Sequence, residues 1–135
     1  MVVDASLLLA TMLNQTSASF AQATLGRMLT VGGAAPALLP FEIANVLERQ
    51  RRRGAVTSAQ RTAQLRLFSA YGIALEAAPD ASALSAIGAT AEHHGLSGYD
   101  AAYLELAVRL GAELATLDAD LAAAGQASGL VVHHA

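Results

Sequence analysis

The stretch ELATLD, residues 113–118, and the segment Asp120–Ala127 behind it decide how this chain is read. A short apolar run closes on Asp118, and a helix-like run opens two residues later. A strand feeding straight into a helix is half of a βαβ unit. The same arrangement begins the chain, where MVVD closes on Asp4 ahead of a helical run from Ser6 to Asn14. IALEAA from Ile73 and GLVVHH near the end read as further strands. APALLP, residues 35–40, is a weaker fifth, because its two prolines frame only three residues. Helices are expected at Ser19–Thr30, Phe41–Arg53, Ser58–Tyr71, Ala81–His94, Tyr99–Leu110 and Asp120–Ala127. Gly32–Gly33, Gly54, Gly72, Gly95, Gly111 and Gly125 fall where those helices should stop. Strands alternating with helices predict an α/β fold, a mostly parallel central sheet with helices on both faces. Such sheets bind their ligands beyond the carboxyl ends of the strands, near the point where strand order reverses.

The composition narrows the class. A chain of 135 residues, 54% of them hydrophobic, suits one domain, residues 1–135, with a substantial core. Without cysteine there is no disulfide framework, which fits a reducing cytoplasm. The apolar N-terminus lacks the positive flank of a signal peptide, and Asp4 interrupts it. No apolar run reaches the ~20 residues of a membrane helix, so a cytoplasmic domain with no membrane contact is expected. The net charge is −3 and every basic residue is arginine. That is not the overall basic footprint of a protein that grips nucleic acid along its whole length.

The acidic residues divide into two sets. Glu48, Glu76, Glu92, Glu105, Glu113 and Asp120 read as solvent-facing charge, and Asp80 as the cap of the following helix. Asp4, Glu42 and Asp118 instead sit at a strand's carboxyl end or in the helix just after it. Asp100 heads the run GYDAAYLELA, residues 98–107. There Tyr99, Ala102, Tyr103 and Leu106 recur at helical spacing and predict a stripe packed on the core. Ser97 with Asp100 three residues on resembles a capping box. A carboxylate beside that buried stripe is costly unless compensated.

For each of the four acids a capping or dipole role is an equal alternative. Four on one edge is harder to explain that way, since two unit charges about 4 Å apart repel by about 4 kcal/mol at an effective dielectric of about 20. Such a cluster must take up protons, spread apart or bind a cation. Oxygen donors without nearby cysteine favour Mg²⁺ or Mn²⁺ over zinc. Ser6, Asn45 and Thr116 are the neighbouring polar residues. Asn45 lies a helical turn beyond Glu42, and Thr116 shares a strand side with Asp118. A cap or local hydrogen bond would serve each of these three equally well.

VVDASLLLA, FEIANVLER, HGLSGYDAAYLELA and LATLDADLAAA, in this order and spacing, resemble the PIN-domain ribonucleases, in particular the VapC toxins of bacterial toxin–antitoxin pairs. The resemblance covers almost the whole chain. It implies a PIN-like three-layer fold and a metal-dependent endoribonuclease that hydrolyses RNA phosphodiesters. Carried over, the catalytic positions are Asp4, Glu42, Asp100 and Asp118, with Ser6, Asn45 and Thr116 in support. Asp4, Asp100 and Asp118 would be the ligands of Mg²⁺ or Mn²⁺. The implied partners are an RNA substrate, a small VapB-like antitoxin and a second copy in a homodimer. The lack of lysine and the acidic net charge are the visible departures.

Other sheet-based functions lack their signatures. A receiver domain needs a lysine after its last strand, a haloacid-dehalogenase phosphatase needs D-x-D after the first, and no G-x-G-x-x-G is present. A non-catalytic PIN-like module binding RNA or protein, and a DNA-directed nuclease, stay open beside the ribonuclease. Arg49, Arg52 and Arg53, in ERQRRRG, admit three roles: stabilising a helix C-terminus, positioning RNA phosphates, or meeting an acidic partner. His93, His94, His133 and His134 have no metal-ligand context.

Overall fold

The computed structural model describes residues 1–135. In chain order the elements are β1 (Val2–Val3), α1 (Ala5–Met12), α2 (Ala18–Val31), β2 (Ala34–Ala35), α3 (Leu39–Arg52), α4 (Ser58–Ala70), β3 (Ala74–Leu75), α5 (Ala81–His94), α6 (Gly98–Leu110), β4 (Leu114–Ala115), α7 (Ala119–Ala127) and β5 (Val132–His133). The five strands form one sheet in the order β3-β2-β1-β4-β5, and every neighbouring pair is parallel. Seven helices flank it, with α1 against α2 and α3, α3 against α4, and α6 against α5 and α7. No helix is long and apolar enough to cross a membrane.

The core follows from the apolar spacing. Val2 and Val3 are fully buried in the central strand, and Leu7, Leu8, Leu47, Leu104, Leu106, Leu114 and Leu121 close over them. Each leucine so buried contributes roughly 1.5–3 kcal/mol. In α3 the buried set is Leu39, Ile43 and Leu47, one residue per turn, which leaves one flank of that helix to the site and another to α4.

Four details depart from the sequence reading. The second strand is Ala34–Ala35, ahead of Pro36, and APALLP is not a strand. Pro36 has no N–H with which to extend a ladder, while Pro40 falls in the first turn of α3, where its missing donor costs nothing. Tyr99 is 67% exposed rather than packed, although Ala102, Tyr103 and Leu106 behind it are buried. Gly125 does not end a helix; it lies inside α7, where a Cβ would come within 2.9 Å of Leu114 Cδ2 and Val132 Cγ2. The absence of a side chain there lets α7 settle onto β4 and β5. Ser97 caps α6 by accepting from Asp100 N, but the return bond is missing: its hydroxyl donates to Asp100 Oδ2 at 2.6 Å instead.

Candidate acidic site at the sheet switch point

Strand order reverses between β1 and β4, which are neighbours in the sheet. The residue that follows β1 is Asp4, and the residue that follows β4 is Thr116. A βα crevice of this kind lies beyond the carboxyl ends of the strands, and here two adjacent strands deliver polar side chains into it.

Asp4 is 6% exposed, and Thr116 is fully buried. Asp4 Oδ2 accepts from the Ser6 hydroxyl at 2.5 Å and from the Thr116 hydroxyl at 2.8 Å. Both donors are fixed by a second bond. Ser6 Oγ accepts from Leu117 N at 2.9 Å, and Thr116 Oγ1 accepts from Asp118 N at 3.0 Å. Those backbone amides hold the hydroxyls as acceptors and leave their protons to the carboxylate. Burial raises the Asp4 pKa, and the hydrogen bonds from Ser6 and Thr116 oppose that shift.

Glu42 reaches the same region from the first turn of α3. Its Oε2 accepts from the hydroxyl of Tyr103, on α6, at 2.5 Å. Burial lifts its carboxyl to about pH 7, helped by the negative charges of Asp4 and Asp100 and opposed by the tyrosine bond. Asp4, Glu42 and Asp100, carried by three separate elements, therefore share one electrostatic environment. Asp100 is half-buried at the start of α6, one turn from Tyr103.

Asp118 and Asn45 are placed differently. Asp118 is exposed and caps α7, its Oδ1 accepting from Leu121 N at 2.8 Å; its backbone N–H, not its carboxylate, is tied to the Thr116 hydroxyl. Asn45 is exposed on α3. No three acidic or histidine side chains close on a single point to form a finished metal-binding shell. The donor chemistry nonetheless suits a hard divalent cation: carboxylate and hydroxyl oxygens after β1 and on α3 and α6, with a repulsion of Glu42 by Asp4 and Asp100 that a cation would relieve.

Tyr103 is the site residue that sequence reading assigned only to the core. A buried tyrosine hydroxyl requires a partner, and its position one turn after Asp100 was the available signal. The acids read as solvent-facing are largely paired. Glu48 binds Arg51 and Arg61, Glu113 binds Arg27 and His133, and Glu76 and Glu105 both hold Arg109. Asp80 caps α5 as expected, accepting from Ala83 N.

A groove of about 1050 Å³ opens beside Asp100, walled by Leu38, Leu84, Ile87, Tyr99 and Ala102. Its charged lining is Glu76, Asp80, Glu105 and Arg109.

The sequence profile of the PIN domain matches residues 1–126. Ribonuclease VapC3 of Pyrobaculum aerophilum is 36% identical over 85 residues, 63% of this chain. The match spans 65% of that relative's own length. The crystal structure of PAE2754 from Pyrobaculum aerophilum superposes with a TM-score of 0.73 at 26% identity, covering 97% of this chain and 87% of that one. VapBC2 from Rickettsia felis, solved bound to a DNA fragment from their promoter, gives 0.68 at 12% identity over 98% and 96% of the two chains. At that identity the likeness is one of fold.

Proposed function

From a chain that belongs to the PIN-domain family, we propose an endoribonuclease of the toxin–antitoxin type that uses Mg²⁺ or Mn²⁺ to hydrolyse RNA phosphodiesters. The observation that carries this reading is the buried Asp4 carboxyl at the sheet switch point, held by Ser6 and Thr116, with Glu42 held by Tyr103 and raised to about pH 7 by burial and by the charges of Asp4 and Asp100. A half-buried Glu42 repelled by both Asp4 and Asp100 at a sheet switch point forms a poor capping arrangement and a good cation seat. The 36% identity to a protein named as a VapC ribonuclease points the same way.

Asp4 and Asp100 are the residues that would hold the ion, with Asp118 contributing the carboxylate oxygen not spent on capping α7. When bound, a divalent ion lowers the pKa of a coordinated water and offsets charge on the phosphate. The chain's own groups do the rest. Ser6 and Thr116 orient Asp4, and their hydrogen bonds oppose the rise in its pKa that burial causes. Glu42, titrating near neutrality and oriented by Tyr103, is suited to take a proton from the attacking water. The implied partner is a small antitoxin that covers the acidic site, and association into a homodimer belongs to the same reading.

The test is cleavage of total RNA by purified protein, freed of any antitoxin, with Mg²⁺ or Mn²⁺ against EDTA. Asp100→Asn, checked for folding by circular dichroism, is the control variant. Discrete cuts that need metal and vanish in the variant are expected. A metal-induced rise in melting temperature without RNA cleavage would leave a binding module or another substrate such as DNA. Cutting that survives both EDTA and the substitution would end the assignment.

A further inference from the structure

The chain has eight basic residues, all arginine. Arg27, Arg51, Arg61 and Arg109 are locked in ion pairs. Arg49, Arg52, Arg53 and Arg66 make no ion pair, and three of these four belong to the end of α3. The face they occupy follows from helix geometry. Seven and eleven residues on from Glu42, Arg49 and Arg53 return to within about 20° of its direction at ~3.6 residues per turn. Arg52 lies about 80° from that direction, next to the line of exposed Asn45. Arg51 points about half a turn away, where it and Arg61 of α4 neutralise Glu48. The cations left free are thus on the flank of α3 that also carries Glu42.

Stabilising the helix C-terminus asks for positive charge there but does not choose a flank. The choice of flank needs another cause. We propose that Arg49, Arg52 and Arg53 form a phosphate track that holds the RNA strand on its way out of the acidic site. This rests on the nuclease reading above and names the surface that reading leaves unassigned. At ~1.5 Å of rise per residue, Arg49 and Arg53 stand roughly 10 and 16 Å along α3 from Glu42.

The groove that neighbours Asp100 is unfavourable to a polyanion. It is lined by Glu76, Asp80 and Glu105, and its one arginine, Arg109, is already held by two glutamates. A strand leaving along the groove would meet net negative charge; along α3 it meets three unpaired guanidinium groups. Such contacts position a strand without reading its sequence.

The test is binding of a fluorescent 12-nucleotide single-stranded RNA to Asp100→Asn protein, with and without Arg49→Gln, Arg52→Gln and Arg53→Gln together. Arg66→Gln, an unpaired arginine on a different helix, is the control. The triple variant should bind at least tenfold more weakly. Its slope of log affinity against log salt should fall by about 2, at ~0.7 per lost single-strand phosphate contact, while Arg66→Gln leaves both unchanged. In the otherwise native enzyme the same triple substitution should raise KM at least tenfold and change kcat less than threefold. Unchanged affinity and slope would overturn the track, even if the native enzyme cuts RNA. Loss of affinity for poly-glutamate with RNA binding intact would overturn it in favour of an acidic protein partner. An arginine-dependent salt slope in a protein that cuts no RNA would keep the track and remove only the nuclease.

Discussion

Tyr103 and Glu42, 61 positions apart in the chain, meet through a 2.5 Å hydrogen bond from the phenol to Oε2. The contact ties α6 to α3 and supplies Glu42 with a fixed donor in a place where its charge is disfavoured. The tyrosine bond opposes the rise in the Glu42 pKa, and burial first, then Glu42, raise that of Tyr103. The phenol therefore stays protonated and acts as an orienting donor.

Tyr103→Phe keeps the ring in the core and removes only this donor. Glu42 then loses the one hydrogen bond that lowers its pKa, so its titration moves further up. A shift of the pH–rate profile toward alkaline pH is expected, with kcat at pH 7 reduced about tenfold and stability by about 1 kcal/mol. A lowered but unshifted profile would mean that the bond is structural only.

Glu42 also sets a pH dependence of stability in the metal-free protein. A carboxyl whose folded pKa lies above its unfolded value holds its proton more tightly when folded. Its contribution is present below about pH 4.5 and is lost as pH rises through about 7. Asp4, also raised, acts in the same direction. Glu48 and Glu113, both drawn down to about 2 by their cationic partners, lose their contribution only on the acid side. Between pH 5 and 8 the metal-free protein should lose roughly 1–2 kcal/mol, after discounting Glu42 for solvent screening. Thermal melts at several pH values should show Tm falling by roughly 5 °C over that range. Glu42→Gln should flatten the trend, and so should millimolar Mg²⁺. A Tm that climbs steadily from pH 5 to 8 without metal would contradict the placement of Glu42.

These groups were unequally legible in the sequence. Asp4 and Asp118 stand out because each ends an apolar segment, so one-dimensional order already places them at a strand's edge. Asp100 stands out because a charge interrupts an apolar helix. Tyr103 could not be separated from its buried neighbours, since periodicity identifies a packed face but not which hydroxyl on it meets a carboxylate. The same limit misplaced Tyr99, which lies at the margin of that face and meets solvent. APALLP reads as a strand because Pro40 serves equally as a boundary or as a first-turn helix residue, and only the path after Pro36 distinguishes these. Asp118 illustrates the reverse case: its position was readable, but its capping of α7 depends on backbone amides that a sequence does not display.

Ser6 and Thr116 both donate to Asp4 Oδ2, so their loss should not be additive. Ser6→Ala or Thr116→Val should each lower activity about 10–100-fold, the usual effect of losing a donor that orients a ligating group. With one donor left, the buried carboxylate keeps a hydroxyl partner; with neither, only the backbone N–H groups of Ser6 and Ala5 remain to compensate it. The double variant should therefore lose at least 1 kcal/mol more in stability than the two single losses combined. Urea unfolding of the four proteins measures this directly. Strict additivity would mean that Asp4 does not rely on the pair.

Gly125 tests the packing that seats α7, and with it Asp118. Gly125→Ala gains up to about 1 kcal/mol in helix propensity. Against this, the new methyl would stand 2.9 Å from Leu114 Cδ2 and Val132 Cγ2, and overpacking of this kind costs about 1–3 kcal/mol. Leu114 is fully buried, so its side chain has little room to retreat, whereas Val132 is only partly covered. The cost should exceed the gain, giving a net loss of about 1 kcal/mol in urea unfolding. The displacement of α7 should also weaken the Asp118 cap and the hydroxyl chain to Asp4, so cleavage should fall with stability. A stabilised, fully active Gly125→Ala protein would show that α7 is free to move off the sheet.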